Sequence, residues 1–194
     1  MPITTSNSCV TPASSGLSAL LILLFFTPSA TASPVQLQRQ GEILTATFTV
    51  PVMPERAWTV LTDYVKTGEA MPDITEVKLL SRNGNTVRLM QIYNAPYTFG
   101  LPIKAVLEVT EKPKTTILYR MIDGDQIKKL SGSWKIMPFK SGTRIVHRIT
   151  LVPEIPSPLQ AMFNGLFQSS LRNSLQRLSE RMQLQDQLHN SKDS

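Results

Sequence analysis

The stretch from Pro158 to Met182 constrains this chain more than any other. Leu159, Met162, Phe163, Leu166, Phe167, Leu171, Leu175, Leu178 and Met182 recur at three- and four-residue steps, which places one apolar stripe along an amphipathic helix. Between Glu42 and Pro153 the chain reads instead as short strands. The natural partner for the stripe is therefore the face of a sheet, and a helix laid across a sheet can enclose a cavity. Each fully buried apolar side chain contributes roughly 1.5 to 3 kcal/mol, so the stripe outweighs the roughly 5 to 15 kcal/mol net stability of an ordinary domain. The domain is not expected to survive loss of this helix.

A chain of 194 residues has room for one domain and an extension. The extension is N-terminal. No charged side chain precedes Arg39, and the ten residues Leu17 to Phe26 are almost wholly apolar. Pro28, Ser29 and Ala30-Thr31-Ala32 follow, which fits the small-x-small pattern of a signal-peptidase site. Residues 1–32 are expected to be a signal peptide cut before Ser33, although its n-region lacks Lys and Arg. The apolar run is shorter than the roughly 18 residues of a spanning helix, which makes an uncleaved anchor the weaker alternative. The exported product would be periplasmic, lumenal or secreted.

Cys9 is the sole cysteine and lies in that leader, so the remaining chain has no disulfide or thiol chemistry. Net charge is +6, all of it outside the leader. On an exported protein such charge is either a solvated basic surface or a contact for anionic lipid headgroups; nucleic acid is not an expected partner there.

Ser33 to Gln40 reads as the main part of a linker over residues 33–41. In Glu42 to Val50, Leu44, Ala46, Phe48 and Val50 alternate with threonines, the pattern of a half-buried strand. Pro54 suits the first turn of a short helix through Asp63 or Tyr64. Lys66 to Asp73 reads as a turn or a second very short helix. Strands Thr75 to Ser81 and Thr86 to Tyr93 flank Asn83-Gly84, a hairpin signal. After a loop from Asn94 to Pro102 come strands at Ile103 to Lys112, Thr115 to Asp123, Lys129 to Phe139 and Thr143 to Val152. Short turns between consecutive strands imply an antiparallel meander. Residues 183–194 are polar and are expected to fray into disorder.

This order of elements resembles the helix-grip fold of the START-like, or Bet v 1-like (SRPBCC), superfamily. Ala57-Trp58-Thr59-Val60-Leu61-Thr62-Asp63-Tyr64, Met71-Pro72-Asp73-Ile74, Asp123-Gly124-Asp125, Gly132-Ser133-Trp134 and Gly142-Thr143-Arg144 are similar to its polyketide cyclase/dehydrase and coenzyme Q-binding (COQ10-like) branch. The resemblance covers about residues 42–182. It implies an α+β domain in which an antiparallel sheet of about seven strands curves around a long C-terminal helix, with two short helices after the first strand.

Strand parity indicates what lies beneath the helix. Ile145, His147, Ile149 and Leu151 share a face, as do Leu130, Gly132, Trp134 and Ile136. Ile117, Tyr119, Met121 and Asp123 form a third set, and Val87, Leu89, Gln91 and Tyr93 a fourth. The wall so formed is apolar with few polar groups, the composition of a pocket for a hydrophobic small molecule. Met71, Tyr93, Phe99, Tyr119, Trp134, His147, Phe163 and Phe167 are the candidate ligand-binding residues. The alternative is that these aromatics simply fill a core.

No catalytic residue is assigned. Tyr119 and Asp123 lie two strands before His147 in sequence order, and nothing in the spacing brings them to it. The other histidine, His189, lies in the polar tail, so neither a metal site nor a cofactor is expected. Motifs of nucleotide-binding or hydrolase chemistry are missing. Tyr97, Phe99, Leu101 and Met71 are candidates for an apolar rim that docks on an anionic membrane surface.

The expected protein is a monomeric carrier or sensor for a lipid, quinone or aromatic compound. A cyclase/dehydrase-type enzyme acting on a polyketide-like substrate, with His147 or Tyr119 moving protons, and a protein-interaction module are the alternatives.

Overall fold

The structure, a computed structural model, describes residue 1 and residues 32–69, 71–140 and 142–191. The expected leader lies outside the described residues apart from its two ends. Elements follow in the order β1 (Gln36–Gln40), β2 (Ile43–Val50), α1 (Pro54–Thr62), α2 (Tyr64–Glu69), β3 (Ile74–Asn83), β4 (Thr86–Tyr93), β5 (Ile103–Lys112), β6 (Thr116–Gly124), β7 (Ile127–Phe139), β8 (Gly142–Pro153) and α3 (Gln160–Asn190). One-turn 3-10 segments, Pro96–Thr98 and Ser157–Leu159, precede β5 and α3.

All eight strands form one antiparallel sheet in the order β1-β2-β8-β7-β6-β5-β4-β3. This is the helix-grip arrangement, with one more strand than the sequence pattern indicates. The extra strand is β1, where a linker was expected. Gly41, at φ +58°, lets a two-residue turn fold Gln36–Gln40 back on β2, with Gln40 opposite Ile43. Val35, just before β1, is buried, and its carbonyl accepts a hydrogen bond from Arg172 of α3 at 3.1 Å.

The inner face follows the expected alternation. Leu44, Ala46 and Phe48 of β2, Val87 and Leu89 of β4, Ala105, Leu107 and Val109 of β5, and Ile145 and His147 of β8 are buried. Asp123 departs from it: a register shift opposite Val106 and Leu107 reverses the alternation, and its side chain is exposed.

The stripe is buried from Phe163 to Met182 except for half-buried Leu166, whereas Leu159, just before α3, and Met162 in its first turn stay exposed. Leu178 and Met182 belong to the solid core, and α3 also touches β2 and α1. The tail expected to be disordered instead continues the helix to Asn190. An ion pair between Arg56 and Asp186 at 3.8 Å ties this extension to α1. Among the described residues no helix is long and apolar enough to cross a membrane.

Candidate functional site

Register alone brings three distant residues together. His147 on β8 lies opposite Trp134 on β7 and opposite Ala46 on β2. The imidazole stacks on the indole with ring centroids 3.7 Å apart and planes 9° apart. Tyr119 on β6 lies opposite Gly132 on β7, one strand short of β8. Its hydroxyl crosses β7 and meets His147 Nε2 at 2.8 Å. Gly132 makes that crossing possible, because a Cβ there would collide with the Tyr119 phenol and the Arg148 carbonyl. Spacing along the chain could not show this contact; it depends on β7 lying between β6 and β8 and on a strand glycine in the path.

Above these residues lies a cavity of about 170 Å³ between the sheet and the N-terminal half of α3. The aromatics do not fill the interior. The volume is close to the roughly 150 Å³ of an apolar cavity that takes up benzene and below the roughly 300 to 1,000 Å³ of pockets for drug-sized ligands. A compact ring compound fits the cavity as it stands, whereas a larger one requires its cover to shift. Phe163, Phe167 and Tyr97 form that cover, Tyr97 meeting the two phenylalanines edge-on at 5.7 and 5.4 Å. Ser174 of α3 also faces the cavity, where a larger side chain would occupy it.

Met71, Tyr93, Tyr119, Trp134, His147, Phe163 and Phe167 all line the cavity. Phe99 does not. It follows the 3-10 turn with φ 54°, is 43% exposed, and sits on the outside with Leu101. Residues that the sequence reading passed over include Tyr64 and Asp73, and Tyr97 belongs to the cover rather than to an outer rim. Glu111 was also missed. It is buried at the end of β5, accepts from Tyr64 Oη at 2.7 Å and pairs with Arg82 at 3.1 Å. Its parity with Leu107 and Val109 was the available signal; its partners lie too far away in sequence to be inferred.

The cavity's electrostatics are those of a nearly uncharged space. Burial lowers the His147 pKa to about 3, so the ring is neutral at ordinary pH. Burial likewise pushes the hydroxyls of Tyr93, Tyr97 and Tyr119 well above the usual phenol range. Tyr93 donates to Gln91. Among the described residues Asp73 is the one carboxylate in the wall, where it accepts a hydrogen bond from Ser170, and neither Lys nor Arg lines the cavity. His147 Nδ1 is buried without a hydrogen-bond partner among the described residues. Among the described residues no group of three or more His, Cys, Asp or Glu is placed to hold a metal. Such a wall can sequester an apolar molecule and offer it a few neutral hydrogen bonds.

The profile of the family described as polyketide cyclase/dehydrase and lipid transport matches residues 50–178. Among solved structures, a Thermus thermophilus protein superposes with a TM-score of 0.66 at 20% identity, covering 73% of this chain and 97% of its own. The Zhui aromatase/cyclase from a Streptomyces species gives 0.64 at 14% identity, covering 76% and 94%. A START superfamily protein from Mycobacterium smegmatis gives 0.60 at 16% identity, covering 72% and 98%. At these identities the likeness is one of fold. No curated protein matches the chain.

Proposed function

The chain belongs to the polyketide cyclase/dehydrase and lipid transport family, and from that membership we propose that it binds a hydrophobic small molecule between its sheet and α3. The observation that carries the proposal is the cavity itself, lined by apolar and aromatic side chains and left open where a packed core would be filled. The bound molecule is a lipid, quinone or aromatic compound, and the protein acts as its carrier or sensor. Ser174→Phe tests this reading, because the new ring points into the cavity. One-to-one binding of a hydrophobic fluorophore by the wild type should vanish in this variant while its circular dichroism is unchanged. Equal binding by a folded Ser174→Phe protein would remove the cavity as the site.

One observation favours a second reading, that of a cyclase-type enzyme. Tyr119 and His147 form a hydrogen-bonded proton-bearing pair in the cavity wall, and the fold is shared with the Zhui aromatase/cyclase. The fold likeness weighs toward this reading; that no ionised acid or base among the described residues is hydrogen-bonded to His147 weighs toward the carrier. The two separate on the fate of the ligand. A compound returned chemically unchanged supports the carrier, and turnover abolished by His147→Ala supports the enzyme.

Exchange of the ligand at an anionic membrane surface belongs to the same proposal. Phe99, Leu101, Leu159 and Met162 are exposed apolar residues within four positions in sequence of the cover residues Tyr97 and Phe163, and the chain's net charge is +6. Export is part of it too, on the strength of the apolar run Leu17 to Phe26 and the small residues after it. N-terminal sequencing of the protein from its host should find Ser33 first; an intact leader would remove export.

A further inference from the structure

Asp73 stands apart from the wall it belongs to. Among the described residues every other ionisable group that lines the cavity is neutral: the tyrosines keep their protons and the His147 ring is uncharged. Half-buried Asp73 lies just before β3 and is held from two sides. Its carbonyl accepts a hydrogen bond from the Asn94 amide at 2.9 Å. Its carboxylate accepts one from the hydroxyl of Ser170, which is buried on α3 about one turn beyond Phe167. The carboxylate is thereby fixed beside the cover of the cavity. Burial is the main reason that the Tyr97 phenol in that cover holds its proton, and the nearby Asp73 charge adds to it.

A carboxylate only accepts hydrogen bonds, at about four positions. Ser170 fills one, and a hydroxyl does not cancel the charge. Among the described residues no ion pair is formed by Asp73. A neutral amide could make the tie to Ser170 as well, so the charge is surplus to holding the loop against the helix. A ligand that fills the cavity displaces water beside this carboxylate, and it must supply a donor in its place or leave a charge stranded. A protonated amine does so best, since a charge-assisted hydrogen bond is about twice as strong as a neutral one. The wall suits the same group, because an ammonium is drawn to aromatic faces and Tyr93, Tyr97, Phe163 and Phe167 all line the space.

We infer that the cavity takes a hydrophobic ligand bearing a protonated amine, and that Asp73 is the residue that pairs with it. This rests on the proposed binding of a hydrophobic molecule and specifies its chemistry. Arylalkylamines and amine-bearing lipids fit it, whereas fatty-acid and other carboxylate anions do not.

The test titrates benzylamine, its uncharged isostere ethylbenzene, and phenylacetate calorimetrically against wild type, Asp73→Asn and Ser170→Ala. Wild type should bind benzylamine more tightly than ethylbenzene, and phenylacetate about tenfold or more below benzylamine, since like charges repel. Asp73→Asn keeps an acceptor for Ser170 but no charge. It should lower the ratio of benzylamine to ethylbenzene affinity about tenfold or more, the worth of one hydrogen bond to a charged group. Each probe is hydrated alike in both titrations, so the change in ratio reads the carboxylate alone. Ser170→Ala keeps the charge, removes the tie and should leave the ratio near its wild-type value. An unaltered ratio in Asp73→Asn, or an equal fall in Ser170→Ala, overturns the inference and leaves the binding reading intact. Wild type that binds ethylbenzene but not benzylamine does the same, which decides the matter even where Asp73→Asn fails to fold; wild type that takes up none of the three overturns both.

Discussion

Mild acid should reach His147 through the unfolded chain. Its folded pKa is depressed to about 3 by burial, whereas an exposed imidazole titrates near 6.5. Below about pH 6.5 the unfolded chain takes up a proton at this position and the folded chain does not. The stability contributed by keeping the ring neutral is therefore complete above about pH 6.5 and is lost as pH falls, at about 1.4 kcal/mol per pH unit. Between pH 6.5 and 5 the loss is about 2 kcal/mol, and over the whole span to pH 3 it is about 5 kcal/mol. Carboxylates also titrate in the lower part of this range, so the quantity to measure is a difference. Urea unfolding of wild type and His147→Gln across pH 7.5 to 4.5 isolates it, because Gln keeps a hydrogen-bonding group beside Tyr119 without titrating, and His189 is common to both chains. The stability of wild type relative to the variant should decline steadily with acid below pH 6.5. A difference that stays flat would refute the reasoning, since it would mean that His147 titrates alike in both states and is not held dry beneath α3.

Gly132→Ala should cost about 1 to 3 kcal/mol of unfolding free energy by overpacking, and should move the Tyr119 hydroxyl off His147, read as a changed His147 ring resonance. Phe167→Ala, which opens the cavity's cover and removes an edge-on contact with Tyr97, should destabilise by about 3 to 5 kcal/mol in the same unfolding assay. Phe99→Asp with Leu101→Asp should weaken sedimentation with anionic liposomes while leaving the thermal midpoint within a few degrees, because both side chains are exposed; unchanged sedimentation removes membrane docking.

Alternation along strands was sufficient to turn His147, Trp134 and Tyr119 toward the helix, because one side of this sheet is dry and a half-buried strand states its inner face directly. What alternation cannot state is which strands are neighbours. The Tyr119–His147 bond needed the strand order β6-β7-β8 and the notch at Gly132, so it emerged only in three dimensions. β1 was illegible for a different reason. Gln36–Gln40 is polar at most positions, and its pairing is imposed by β2 and by the Arg172 contact to Val35, not by propensity.

Composition misled at both ends of the long helix. Leu159 and Met162 keep the apolar spacing yet are exposed. Residues 183–190 are polar but rich in good helix formers, and Arg56 pairs with Asp186 within them. Phe99 looked like a pocket residue because it is aromatic and near other aromatics; the chain's left-handed turn at that residue puts it outside.

The central claim is that this cavity holds a hydrophobic small molecule. Native mass spectrometry of the protein purified from its own host, followed by organic extraction and identification of what is released, tests it most directly. The account predicts a one-to-one complex with a largely apolar ligand. A protein that arrives empty and also takes up no lipid, quinone or aromatic compound from a panel would contradict it.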